Sequence, residues 1–163
     1  MENFLRLGMT HLVVCDGDVF EYSNMDRQIL CTEDSIGKKK VEIARERAKK
    51  IAPNTTVEAY DVFIDEENGK ELFRDCVLVV DALDSMEGRS VLRSVCRELQ
   101  IPLVHGAICD WSLEVGVLYP GDLLPMASAI SRREEHVLSF VPSICAGLEA
   151  AETVKILRGE ESS

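Results

Sequence analysis

The sequence predicts an α/β fold, a three-layer sandwich with helices on both faces of a mainly parallel sheet. Two observations carry that prediction. Short apolar runs alternate with helical patterns along the whole chain, the order that builds strand-helix-strand units. One run, "CVLVVDAL" from Cys76 to Leu83, is apolar nearly throughout, as expected of a strand covered on both faces. The last two strand patterns lie only a few residues apart, which leaves room for one antiparallel pair and so for a mixed sheet.

In order, "MENFLRLG" reads as the last turns of a helix, with Phe4, Leu5 and Leu7 apolar and Gly8 as the C-terminal cap. "THLVVCD" is a buried strand. "GKKKVEIARERAKKIAP" is a helix with Val41, Ala44, Ala48 and Ile51 on one face and Pro53 just beyond its end. "TTVEAYDVFI" is a strand and "GKELFRD" a short helix. "SMEGRSVLRSVCRELQ" is a helix with Val91, Leu92, Val95, Cys96 and Leu99 inward. "IPLVHGAI" and "LEVGVLYP" are the two neighbouring strands. "PSICAGLEAAETVKILRG" is a C-terminal helix opened by Pro142 and Ser143 and closed by Gly159. Its apolar stripe of Ile144, Leu148, Ala151, Val154 and Leu157 is accounted for by core packing.

No repeat or linker divides the 163 residues, so a single domain over 1–163 is expected, with a core of its own. The net charge of -11 argues against nonspecific nucleic-acid binding, which needs a cationic surface. It is compatible with basic partners or magnesium-dependent chemistry. No apolar run approaches about 18 residues, and no basic patch leads into an apolar core at the N-terminus. No membrane association and a cytoplasmic location are therefore expected. The six cysteines form no C-x-x-C pair, so no zinc site is expected, and buried free thiols are favoured over disulfides.

The stretch "VVCDGDVFEYSNMDRQIL" carries the first functional signal. An apolar strand runs into an acidic loop, and a polar segment with Asn24 and Arg27 follows. Nucleotide sites often have this order just after the second strand of a Rossmann-like unit. Only "MENFLRLGMTHL" precedes it, where the first strand and the glycine-rich phosphate loop of such a unit would stand.

Four segments together, "GMTHLVVCDGDVFEYSNMDRQIL", "SIGKKKVEIARERAKKIAPNTTVE", "VLVVDALDSMEGRSVL" and "IPLVHGAICDWSLEVGVLYPGD", resemble the ThiF/MoeB/HesA family, prokaryotic relatives of the ubiquitin-activating enzymes. The likeness runs in order from Leu5 to about Asp122 and resumes in "VPSICAGLEAAETVKILRGE". The combination of D-x-D, S-N-x-x-R-Q, I-G-x-x-K and D-A-L-D is far more specific than any one element. The resemblance implies a Rossmann-like fold, ATP and Mg2+ as the groups bound, and a homodimer. It also implies adenylation of the C-terminal glycine of a ubiquitin-like sulfur-carrier protein.

The same resemblance implies roles residue by residue, each beside a plainer one. Asp16, at the end of a strand, accepts hydrogen bonds from ribose hydroxyls, or is a turn acid of "DGD"; Asp18 has the weaker claim. Asn24, Arg27 and Gln28 follow as nucleotide-binding residues, Arg27 offering planar donors for phosphate oxygens or else forming a surface ion pair. Lys40 stands at the position of the family lysine and brings a point charge to the phosphates, while "KKK" taken alone is a solvated helix face. Asp84 matches the magnesium-linked aspartate, or with Glu87 forms a capping box. Arg27, Lys40 and Asp84 are thus the expected catalytic set. Asp81 is read as structural, Arg89 as a family position or an ion pair, and His105 as a strand-end residue outside the chemistry. Trp111 either lines the carrier surface or covers the sheet.

Relatives begin with a strand, a glycine turn and a full helix, so the resemblance implies that roughly 25 residues, judged from the size of a strand-helix-strand unit, are missing here. It further implies that a chain without that turn does not adenylate unaided. No acceptor cysteine stands in "GDLLPMASAISRREEHVLSF"; Cys109 and Cys145 are the nearest by sequence. Three classes remain open: an adenylyltransferase, a catalytically silent carrier-binding or dimerisation module, and an NAD-type dehydrogenase. S-N-x-x-R-Q and D-A-L-D argue against the last.

Overall fold

The computed structural model describes residues 1–122 and 139–162. They fall into two compact units, Met1–Ile64 and Asp65–Ser163. Each is an α/β arrangement. The parallel and antiparallel pairings expected from the sequence are both present, divided between a two-stranded and a three-stranded sheet.

The first unit contains α1 (Glu2–Arg6), β1 (His11–Cys15), α2 (Lys40–Ile51) and β2 (Thr56–Tyr60). β1 and β2 are parallel, in register from His11 opposite Thr56 to Cys15 opposite Tyr60. The predicted face of α2 is the buried one, through Val41, Ala44 and Ala48. α1 buries Leu5 and ends on Gly8, whose φ of +83° is the left-handed conformation that glycine adopts without penalty. β1 is half-buried rather than fully buried, because β2 is its only ladder partner among the described residues. Between β1 and α2 the chain makes two short 3-10 turns, Tyr22–Asn24 and Glu33–Ser35, each closed by a reciprocal capping box. Phe20, Cys31 and Ser35 are buried beneath them.

The second unit contains α3 (Glu66–Phe73), β3 (Val79–Asp81), α4 (Met86–Leu99), β4 (Leu103–Cys109), β5 (Ser112–Leu118) and α5 (Phe140–Arg158). β3 is parallel to β4, and β4 is antiparallel to β5 across a two-residue turn at Asp110 and Trp111. Asp110 takes a φ of +50°, which aspartate tolerates in tight hairpins. The core is built from Phe73, Val79, Leu92, Val95, Val104 and Val117.

Two expectations are corrected here. "CVLVVDAL" is a strand only over Val79–Asp81, since β4 begins opposite Val79; Val77, before it, is 69% exposed. The predicted stripe of α5 is not its core face: Ile144, Leu148 and Leu157 are exposed, while Val141, Cys145, Ala150, Glu152 and Thr153 are buried. The helix is apolar on more than one side, so periodicity alone does not choose the face. Close approach to β4 decides it. A Cβ on Gly106 would come within 2.2 Å of Glu149 Oε1 and 2.8 Å of Cys145 Sγ, so the absent side chain lets α5 lie directly on the strand. The connection 123–138, which spans most of the crossover without an acceptor cysteine, lies outside the described residues.

Candidate functional site

In the first unit the acidic loop leaves the end of β1. Asp16 Oδ1 accepts from the Asp18 backbone N–H at 2.9 Å, closing a turn over Gly17. A Cβ on Gly17 would come within 2.7 Å of the Phe63 ring, which is 71% exposed and would have to shift to admit it. The chain then pairs with the approach to α2: Val19 lies opposite Lys39, Phe20 opposite Ile36, and Lys40 N–H donates to the Asp18 carbonyl at 3.0 Å. Phe20, 3% exposed, anchors that pairing.

This backbone pairing carries the Lys40 side chain to the acidic loop. Its Nζ is 3.0 Å from Asp18 Oδ2 and 3.9 Å from Asp16 Oδ2. The structure thus separates the three consecutive lysines: Lys40 meets the loop, Lys39 is paired with Asp61, and Lys38 is exposed. Asp18 is the nearer partner of Lys40, ahead of Asp16. Their twenty-two-residue separation hides the contact from the sequence.

The segment that follows is organised locally. Asn24 Oδ1 accepts from Glu21 N–H at 3.1 Å as half of a capping box. Arg27 Nη1 donates to the Ser23 carbonyl at 2.6 Å and to Asp26 Oδ1 at 2.8 Å, so the surface ion pair weighed from the sequence does form. Gln28 is half-buried and its backbone N–H donates to the Asn24 carbonyl at 2.8 Å. The structure brings Asp16, Asp18 and Lys40 together. It places Asn24, Arg27 and Gln28 in the next turn, where Arg27 makes no bond to those three among the described residues.

In the second unit Asp84 is exposed at the start of α4. The capping role weighed for it falls to Ser85, whose Oγ accepts from Gly88 N–H at 3.1 Å. The Asp84 carboxylate therefore makes no hydrogen bond or ion pair among the described residues. No cluster of three or more His, Cys, Asp or Glu that could hold a metal occurs among them either. A lone hard carboxylate fits Mg2+, which keeps several waters and takes its remaining ligands from phosphates.

Behind Asp84 lies a buried polar network of Asp81, Arg89 and His105, which the sequence takes singly, Asp81 as structural and Arg89 as a family position or an ion pair, and does not bring together. Asp81 is 1% exposed; its Oδ2 accepts from His105 Nδ1 at 2.7 Å and lies 3.6 Å from Arg89 Nε. His105 is not at a strand end but within β4, opposite Asp81 in the β3/β4 register. Arg89 Nε donates to the Leu83 carbonyl at 2.8 Å, and its Nη2 to the Gly106 carbonyl at 3.1 Å. Glu149, on α5 above Gly106, has its carboxyl raised to about 7, first by burial and then by the negative charge of Asp81. Cys145 beside it is pushed up to about 11, again chiefly by burial, which leaves little thiolate for nucleophilic chemistry at neutral pH. Cys109 is half-buried, and Trp111 is 75% exposed with its ring 5.5 Å from that of Phe140.

Known proteins resemble this chain in sequence and in fold. The chain is 33% identical over 163 residues to the SAMP-activating enzyme E1 of Haloferax volcanii, covering 94% of this chain and 60% of that protein. It is 30% identical over 174 residues to the sulfur carrier protein adenylyltransferase of Thermus thermophilus, covering 98% of this chain and 64% of the relative. It therefore spans less than two thirds of the length of either. The crystal structure of Escherichia coli tRNA N6-threonylcarbamoyladenosine dehydratase, TcdA, in complex with ATP superposes with a TM-score of 0.62 at 31% identity, covering 67% of this chain and 47% of that one. The model of the ThiF family matches residues 1–163, and the chain belongs to that family.

Proposed function

We propose that this chain, working as one domain over 1–163, is part of an adenylyltransferase that activates the C-terminal glycine of a ubiquitin-like sulfur-carrier protein. The observation that carries this reading is the delivery of Lys40 to the Asp16–Asp18 loop, a cation held against two carboxylates at the end of a parallel strand. Relatives named as adenylyltransferases and an ATP complex of a structural neighbour support it.

In the reaction an oxygen of the carrier's carboxylate attacks the α-phosphorus of ATP. The new O–P bond forms as the bond to the β-phosphate oxygen breaks, and pyrophosphate leaves with that electron pair. Such chemistry depends on holding the reactants in line and on neutralising developing charge. Asp16 Oδ1 shapes the turn, and its Oδ2, 3.9 Å from Lys40 Nζ, can accept from a ribose hydroxyl once Lys40 moves to phosphate. Lys40 is stored against two carboxylates and can exchange them for phosphate oxygens. Asn24, Arg27 and Gln28 are assigned the phosphate flank; Arg27 exchanges a single-donor contact with Asp26 for bidentate contacts with phosphate. Asp84 would hold Mg2+, which when bound offsets the charge of the phosphates. The exposed stripe of α5 supports a homodimer, and the absence of any helix long and apolar enough to cross a membrane, among the described residues, is consistent with action in the cytoplasm.

ATP–pyrophosphate exchange with a glycine-tailed carrier tests the reading, alongside calorimetric ATP binding. In a parent that supports exchange, Asp84→Asn is expected to lower it by about 10²–10³, the usual effect of losing one charge-stabilising contact. Lys40→Ala is expected to weaken ATP binding. Exchange that survives both substitutions overturns the roles given to Asp84 and Lys40, and a chain that binds a carrier but neither binds ATP nor supports exchange overturns the reading in favour of a carrier-binding or dimerisation module.

A further inference from the structure

The loop between β3 and α4 is gripped at one residue, through the N–H of one peptide and the carbonyl of the next. Leu83 N–H donates to Asp81 Oδ1 at 2.9 Å, and the Leu83 carbonyl accepts from Arg89 Nε at 2.8 Å. Each grip is itself anchored. His105 Nδ1 holds the other oxygen of Asp81 at 2.7 Å, and the second arm of Arg89 reaches the Gly106 carbonyl at 3.1 Å. His105 and Gly106 are consecutive residues of β4, so both anchors trace to one strand. Asp81 is 1% exposed and the Arg89 side chain 16%, so these bonds have little water to replace them if one is lost. Starting α4 does not need them, because Ser85 already caps it. The residue that follows Leu83 is Asp84, whose carboxylate makes no hydrogen bond or ion pair among the described residues.

We propose that Asp81, Arg89 and His105 are positioning residues that aim the Asp84 carboxylate by clamping the backbone of Leu83 on both sides of its Cα. The proposal rests on Asp84 as the magnesium ligand of the function above. With one protein carboxylate and the other ligands drawn from water and phosphate, metal affinity depends on where that carboxylate is held. Hydrogen bonds behind a metal ligand typically set affinity by about 10–100-fold.

Mn2+, followed by electron paramagnetic resonance and titrated into the full chain with ATP, reads the clamp directly. Exchange of the Leu83 amide proton gives a second reading, and circular dichroism checks folding. Arg89→Lys keeps the charge but cannot reach the Leu83 and Gly106 carbonyls together. It is expected to weaken Mn2+ binding about 10–100-fold, to speed Leu83 exchange, and to leave metal-free ATP binding unchanged. His105→Leu is expected to do the same, while His105→Asn, which keeps a donor near Nδ1, restores both readings. Should His105→Leu fail to fold, His105→Gln, with its donor near Nε2 instead, serves as the defective variant. Unchanged Mn2+ affinity in folded Arg89→Lys and in the defective His105 variant, with Asp84→Asn lowering it, overturns the positioning role and spares the metal reading. Unchanged affinity in Asp84→Asn overturns both.

Discussion

The acidic loop of the first unit and the network behind Leu83 in the second use the same residue types under opposite conditions. The side chains of Asp16 and Asp18 are 35% and 53% exposed, and Lys40 touches them at the edge of solvent. Asp81 has almost no exposure, and its partners are one histidine, one arginine and one backbone N–H. In water a charge pair has little net worth, so an incoming ligand replaces it easily. Away from water, removing one partner strands the others, so the arrangement behaves as architecture. Charge available for exchange and charge committed to shape are therefore separated by burial, not by composition.

The largest test of that contrast is Asp81→Ala. It leaves Arg89, His105 and the Leu83 N–H without their buried acceptor, and a loss of about 3–5 kcal/mol in urea unfolding is expected. A loss below about 1 kcal/mol would put this network in the same class as a surface pair.

Glu149 gives the next effect, with a pH signature. Its folded carboxyl, at about 7, lies above the ordinary value of 4.5, so the folded chain binds more protons between those values. Stability contributed by this group is full below pH 4.5 and declines as pH rises to about 7. Burial raises it most; within its own unit Asp81 raises it further, and His105 and Arg89 lower it. Glu149→Gln is expected to remove that decline, with a gain of about 1–3 kcal/mol at pH 8 over the parent. Parallel stability curves for the two proteins from pH 4 to 8 would show that the carboxyl titrates normally.

A smaller effect comes from Glu2, which joins α1 to α2. Its carboxylate accepts from Arg47 Nε at 3.0 Å and Nη2 at 2.9 Å and also pairs with Arg6. Hydrogen bonds from Arg47, then from Arg6, hold its carboxyl down at about 2. The sign is opposite to that of Glu149: the contribution is present above the ordinary value of 4.5 and is lost as pH falls towards 2. Glu2→Gln is expected to lower Tm by about 2–4 °C at pH 7, with the difference vanishing in acid. Arg27→Ala should be smallest, within about 0.5 kcal/mol of the parent in stability, while weakening ATP binding. A large stability loss there would mean that the second turn is architecture too.

Much of this protein is determined locally. The order of strands and helices, the glycine at the end of α1, the face of α2 and the antiparallel pairing of β4 with β5 follow from near neighbours, and these appear where the sequence places them. The family is equally local, because D-x-D, S-N-x-x-R-Q, I-G-x-x-K and D-A-L-D are read as strings. What needed the tertiary structure is every pairing across distance. Lys40 finds Asp18 only because residues 18–20 pair with residues 36–40. Asp81 finds His105 only through the β3/β4 register, and α5 buries Cys145 rather than Ile144 because Gly106 opens one side of a helix that is apolar on several. Capping of α4 by Ser85 in place of Asp84 turned on a single residue of register, which backbone geometry sets and spacing does not. Periodicity encodes which residues lie inward on one element. The partner each of them meets depends on how separate elements align, and that alignment is a property of the packed chain.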